Sequence, residues 1–202
     1  IKDKRKKSNL NKYGVEYPSQ LQSQKDININ NGKIYFENKL KTKGYLVLNY
    51  LRVTDSIPLF SRVTVPTLTF VATANAAYNA GFPIEFCDVL PDGNINPELI
   101  TIDNIVVPVH FAGQACDMDE IYKRTPYVIE DAAHAFGGLY KDKRIGSLNS
   151  MATCFSFYPT KNLGTCEGGA VVTNNKELAE FVKTMSLHGL GGEFADRYNR
   201  NS

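Results

Sequence analysis

From Gly44 onward the chain alternates between short apolar runs and longer stretches whose apolar residues fall at helical spacing. GYLVLNYLRV carries Leu46, Val47, Tyr50, Leu51 and Val53 at positions that predict a buried helix. RVTVP, Arg62 to Pro66, predicts a buried strand, and TLTFVATANAAYNAG predicts a loop passing into an Ala-rich helix that stops at Gly81. Thr67 and Thr69 are candidate caps for that helix. PIEFCDV, Pro83 to Val89, predicts a second strand, and NINPELI a short helix starting near Pro97. IVVPVHF, Ile105 to Phe111, predicts a third strand, apolar enough to be covered on both faces. GQACDMDEIYKR then makes a loop and helix leading to an apolar run at Tyr127 to Ile129. Ala152 to Phe157 and Ala170 to Val172 supply two more β-rich segments.

Strands alternating with helical segments at this rate predict an α/β fold, with a mostly parallel sheet, helices on both faces and right-handed crossovers. A dinucleotide-binding fold shares the rhythm but needs GxGxxG directly after a strand, and no strand here is followed by one. Before Gly44 the pattern is weak. Lys2, Lys4, Arg5, Lys6 and Lys7 read as a solvated basic tail, followed by Asn-, Ser- and Gln-rich sequence in which Lys33 to Phe36 is at most a short edge strand. The expected organisation is a poorly defined segment over 1–43, one large domain over 44–188, and a polar, glycine-containing stretch over 189–202.

Composition narrows the function classes. With 202 residues, 43% of them hydrophobic, the chain can bury a substantial core. A net charge of +2 gives no electrostatic reason to expect a nucleic-acid partner. Cys87, Cys116, Cys154 and Cys166 form no CxxC pair and have no histidines at zinc-ligand spacing, so free thiols in a reducing compartment are expected and no metal site. No stretch approaches a membrane span, and the expected location is cytoplasmic.

The chemistry concentrates between Tyr127 and Asn174. An apolar run ends on Glu130 and Asp131, and a second segment delivers Ser156 and then Lys161 onto a loop. An open α/β sheet displays groups to a ligand at the carboxyl ends of its strands. A lysine amine condenses with an aldehyde to form a Schiff base, and a carboxylate held against a pyridine nitrogen keeps that ring protonated and able to accept electrons. Pyridoxal 5′-phosphate needs both groups, and Ser156 and a nearby helix start could meet its phosphate. Each residue also has a plainer reading. Asp131 could be a helix N-cap, Ser156 a strand serine bonded to backbone, and Lys161 a solvated loop amine. Strand alternation turns Glu130 to the opposite face from Asp131, and turns Ser156 away from Phe155 and Phe157. His110, at a strand end, and His188 read as structural residues.

EDAAHAFG, CFSFYPTKNL and EGGAVVTN, taken with VPTLTFVATANA, resemble the DegT/DnrJ/EryC1/StrS sugar aminotransferases over roughly Arg62 to Arg197. The resemblance implies the large domain of a fold-type I pyridoxal phosphate enzyme, with the small C-terminal domain missing from this chain. It implies that Lys161 is catalytic and holds the cofactor, and that Asp131 meets the pyridine nitrogen. His134 lies where the family has Gln or His near the 3-hydroxyl, Ser156 would bind phosphate, and Phe70, otherwise a core aromatic, would stack on the ring. Gly44 falls where a family glycine starts a helix that binds the phosphate. The next residue is Tyr45 where the family has threonine, and Leu46 and Val47 replace small residues.

Because Lys161 is kept where a dehydrating branch of the family has histidine, the resemblance implies transamination. The expected partners are an amino donor such as glutamate, a nucleotide-linked keto sugar, and a second copy of the chain in a homodimer. The alternative is a non-catalytic or truncated cofactor-binding relative on the same scaffold, motivated by the altered Gly44-Tyr45 region.

Overall fold

The computed structural model describes residues 38–54 and 61–186. The basic run, the candidate strand at Lys33 to Phe36, His188 and the stretch over 189–202 lie outside the described residues. The first element, α1 (Asn38–Val53), contains the predicted apolar stretch. Leu46, Val47, Leu48, Tyr50 and Leu51 are all buried, so over this stretch the helix is covered nearly all round and does not simply rest on a surface. It starts before Gly44 and crosses the boundary expected there.

The strand β1 (Val63–Pro66) is buried at every residue, as its run predicts. It leads to α2 (Val71–Asn79), which ends in a Schellman turn. Gly81 N–H donates to the Tyr78 carbonyl and Phe82 N–H to the Ala77 carbonyl. Gly81 has φ +77°, and a Cβ there would sit 1.6 Å from Arg52 Nη1, whose guanidinium donates to the Ala80 carbonyl at 2.6 Å. The expected stop at Gly81 therefore has two causes, backbone handedness and the arginine laid across it. Thr67 and Thr69 do not cap α2. The N-cap is Phe70, with no side-chain capping bond. Thr67 reaches Asp88 Oδ1 at 3.4 Å, and Thr69 turns to Thr73.

Next come β2 (Ile84–Cys87), a single 3-10 turn at Pro97–Leu99 capped by Asn96, and β3 (Ile105–Val106). β3 is shorter than its apolar run. Pro108 has no N–H to give a ladder, so beyond Val107 the extended chain keeps only a bridge at Val109. α3 (Met118–Arg124) is capped by Asp117, with Asp119 and Glu120 in its first turn and Lys123 and Arg124 in its last, the charge order a helix dipole favours. β4 (Ile129–Asp131), the small hairpin of β5 (Leu139–Tyr140) and β6 (Lys143–Arg144), β7 (Ala152–Ser156), β8 (Gly169–Val172) and α4 (Lys176–Ser186) complete the order. The pattern of α4 is amphipathic, with Leu178, Phe181 and Val182 buried. Asn175 accepts the Leu178 N–H at its start.

β2, β1 and β3 pair in parallel, as do β4 and β7, and β8 runs antiparallel to β7. Parallel bridges Val106 to Val128 and Val109 to Asp131 join the two sheets, giving the order β2-β1-β3-β4-β7-β8. One face carries Val63, Val65, Ile105, Ile129 and Ala152 under α1, α2 and α4. The other carries Cys87, Val106 and Val128 against Met118 and Ile121 of α3. The expected α/β class, mostly parallel with helices on both faces, is the observed one. Among the described residues no helix is long and apolar enough to cross a membrane.

Glu130 and His110 are fully buried on the α3 side, as the alternation requires of Glu130. His110 Nδ1 accepts the Cys116 N–H, so its Nε2 carries the proton and donates to Glu130 Oε2 at 2.8 Å. Thr153 Oγ1 donates to the other carboxyl oxygen at 2.8 Å. Burial pushes the neighbouring Cys116 thiol up to about 12. His110→Ala should destabilise the fold by about 3 kcal/mol, because it leaves a buried acceptor short of a donor and opens a ring-sized void. Urea unfolding of the variant checks it, and an unchanged midpoint would remove this network from the stabilising interactions.

Candidate active site

A cavity of about 570 Å³ opens at the carboxyl ends of β4 and β7. Asp131 is the last residue of β4 and Ser156 the last of β7, and both line it. The parallel register sets Asp131 opposite Cys154 and Glu130 opposite Thr153. Asp131 and Ser156 thus share the α2 side of the sheet, two residues of β7 apart in register, while Glu130 and Thr153 share the other side.

The Asp131 carboxyl is held at both oxygens. Oδ1 accepts the Ala133 N–H at 3.1 Å, and Oδ2 accepts the Thr73 hydroxyl at 2.8 Å. The first of these is the local turn that the N-cap reading of Asp131 anticipates, but no helix follows it. Ser156 is 8% exposed, and its Oγ accepts the Tyr158 N–H at 3.4 Å, a long bond that leaves the hydroxyl proton available to a ligand.

Lys161 sits in the loop between β7 and β8. That loop is pinned below it, where Phe157 exchanges backbone bonds with Thr165 and Gly168, and Lys161 N–H closes a turn on the Tyr158 carbonyl. The amine is half-exposed and not buried, because β8 is the outer strand of the described sheet and its loop faces outward. Nζ lies 2.6 Å from His134 Nε2, so the two side chains meet across the cavity. Partial burial first, and the Lys161 charge second, hold His134 below its ordinary value, while Asp131 acts in the opposite direction. His134 is itself approached by the turn at Phe111–Gly113. Gly113 has φ +90°, and a Cβ there would lie 2.9 Å from the His134 carbonyl oxygen.

Phe70 is 68% exposed at the cavity rim, so it is not a core aromatic. Gly44 lines the cavity too, but from inside α1 and not at its first turn. Its N–H is therefore not among the unpaired donors of a helix start, and its Cβ position would rest 3.7 Å from Ala76, an ordinary contact. Of the expected site residues, Asp131, His134, Ser156, Lys161, Phe70 and Gly44 all border one hollow. Sequence reasoning missed Thr73 and Glu167, which also line it, and assigned Thr69 to a cap. The signal for Thr73 was its spacing of four from Thr69, across the start of the helix that Phe70 caps.

An open, mainly parallel sheet that presents an acid, a hydroxyl and an amine at its strand ends has the fold-type I aminotransferase architecture. The family model of the DegT/DnrJ/EryC1/StrS aminotransferase family matches residues 51–202, and the chain belongs to that family. It is 43% identical over 165 residues to UDP-4-amino-4,6-dideoxy-N-acetyl-beta-L-altrosamine transaminase of Campylobacter jejuni, covering 76% of this chain and 42% of that protein. The aminotransferase of Psychrobacter cryohalolentis superposes with a TM-score of 0.67 at 32% identity, over 80% of this chain and 42% of its own. NtdA of Bacillus subtilis, with bound cofactor PMP, superposes with a TM-score of 0.56 at 31% identity, over 72% of this chain and 33% of its own. The chain spans about two-fifths of the length of the curated relatives it matches.

The His134 titration reports the site geometry directly. Its midpoint should lie below 6.5, rise in Lys161→Ala, and fall further in Asp131→Asn. With the folded value depressed, the stability this ring contributes is complete above the ordinary value and lost as pH falls through the folded one. Imidazole NMR signals followed against pH check all three directions. A midpoint indifferent to Lys161 would separate the two side chains.

Proposed function

We propose that this chain is the cofactor-binding part of a pyridoxal 5′-phosphate-dependent aminotransferase that transfers an amino group, with glutamate as donor, to a nucleotide-linked keto sugar. The observation that carries it is the convergence of Asp131 and Lys161 on one hollow that also presents a hydroxyl and an aromatic ring. The donor set fits the cofactor: a carboxylate for a ring nitrogen, an amine for an aldehyde, a hydroxyl for phosphate and an exposed ring face for stacking. When bound, the cofactor supplies a protonated pyridine ring that draws electrons from a neighbouring carbon.

The residues of the chain do the rest. The Lys161 amine would hold the cofactor at its aldehyde carbon, and its Nζ would serve as the base that takes a proton from the donor's α-carbon. The half-exposed position of Lys161 suits both tasks, since the amine has to swing between two bonding partners. Asp131, fixed by its two hydrogen bonds, would hold the ring nitrogen and keep it protonated. His134 would release Lys161 and turn to the ring oxygen. Ser156 would donate its hydroxyl to phosphate, and Phe70 would cover one ring face and exclude water there. A nucleotide-linked sugar as substrate is supported by the Campylobacter relative, whose name specifies a UDP-linked amino sugar, and the cofactor by the PMP held by NtdA. A homodimer and a cytoplasmic location complete the reading.

One observation favours the second reading, a cofactor-binding relative without turnover. Gly44 lies within α1, followed by a buried Tyr45, so the helix start that would meet the phosphate is not formed there. Borohydride added after loading with pyridoxal phosphate separates the readings. The aminotransferase reading expects a stable pyridoxyl group on the peptide containing Lys161, found by mass spectrometry, and none in Lys161→Ala. No labelled peptide in the wild type would sink the proposal. Labelling that glutamate cannot reverse before reduction would leave binding without transamination.

A further inference from the structure

Asp131 is the residue whose orientation matters most for the proposed chemistry, and its Oδ2 is met by the hydroxyl of Thr73 on α2, 58 residues earlier in the chain. Thr73 is 4% exposed, and its Oγ1 also lies 2.8 Å from Thr69 Oγ1. The direction of these bonds follows from counting protons. An ionised carboxylate only accepts, so the single Thr73 proton goes to Asp131. Thr73 Oγ1 can then only accept from Thr69. The competing acceptor for Thr69, the Phe70 carbonyl, is at 3.4 Å and is the weaker partner. Thr69, Thr73 and Asp131 form a one-way chain in which each hydroxyl is polarised by the next acceptor.

We infer that Thr73, backed by Thr69, is a positioning residue: it fixes the plane of the Asp131 carboxylate and thereby tunes how tightly a pyridine nitrogen is held. Two of about four lone-pair sites on Asp131 are taken, by Thr73 and by Ala133 N–H, which leaves the remaining acceptors for the cavity. The two bonds come from opposite directions along the chain, one from the turn after β4 and one from the helix above it, so the carboxylate is clamped and not merely tethered. Phe70 is the N-cap of the same helix, which ties the acid's orientation and the aromatic face to one element. This inference rests on the cofactor reading given above.

Pyridoxamine 5′-phosphate tests it, because this amine cannot condense with Lys161 and so reports the non-covalent contacts of the ring. Thr73→Val, which replaces the hydroxyl by a methyl of the same shape, should weaken its binding about tenfold, the loss of one hydrogen bond to a charged group. Thr73→Ser should stay within about twofold of wild type. In an Asp131→Asn background Thr73→Val should cost nothing further, because the residue acts through Asp131. The carboxyl-carbon NMR signal of Asp131 in the cofactor-free chain should shift in Thr73→Val and return in Thr73→Ser.

Additive losses in the double variant, a Ser variant as weak as the Val one, or an unmoved carboxyl signal would each overturn the positioning role while wild-type binding stands. A wild type that does not bind pyridoxamine phosphate at all would overturn the cofactor reading, and this inference with it.

Discussion

The site depends on the register of β4 against β7. With Asp131 opposite Cys154, the side chains of Asp131, Cys154 and Ser156 fall on the face beneath α1 and α2, and those of Glu130 and Thr153 fall on the other. Because side chains alternate with a period of two, a slip of one residue would bury Asp131 beside His110 and turn Glu130 into the cavity. Two adjacent carboxyl groups are thus sent to different tasks by one set of backbone hydrogen bonds.

The buried network on the α3 side makes that slip costly. Glu130 is satisfied there by His110 and Thr153, both fully or nearly fully buried, and His110 is itself oriented by the Cys116 N–H. On the α2 side Asp131 is held in turn by Thr73 and Ala133. Polar satisfaction on both faces therefore reinforces the same alignment that the apolar residues Val128 and Ile129 favour, one facing each hydrophobic layer.

Above the sheet, the cavity is assembled from elements that are distant in the chain. α1 supplies Gly44 and Leu48, the start of α2 and the residues just before it supply Thr73, Phe70 and Thr69, and the loop after β7 supplies Lys161. The acid sits on a strand, where its placement is rigid, and the amine on a loop, where it can move. That division suits the proposed chemistry, in which a carboxylate that only has to stay beside a ring nitrogen belongs on a fixed element, and an amine that must change partners does not. His134 meets Lys161 across the cavity, and partial burial first and the Lys161 charge second hold the imidazole toward its neutral form.

Much of this was readable from the amino-acid sequence alone. Short β-rich runs alternating with helical spacing determined the α/β class, and the strand ends at Asp131 and Ser156 and the loop position of Lys161 followed from local pattern, because burial and pleat are local consequences of residue type. Local pattern also placed the stop of α2 at Gly81, where a left-handed backbone is needed. It could not determine where α1 begins, since low-propensity polar residues such as Asn38 join a helix only when tertiary packing supports its later turns. Nor could it show that Thr69 and Thr73 serve Asp131 and not the end of a helix. A threonine hydroxyl bonds whatever acceptor the fold brings within 3 Å, and the acceptor here arrives from a strand that only sheet pairing and helix packing place beneath it.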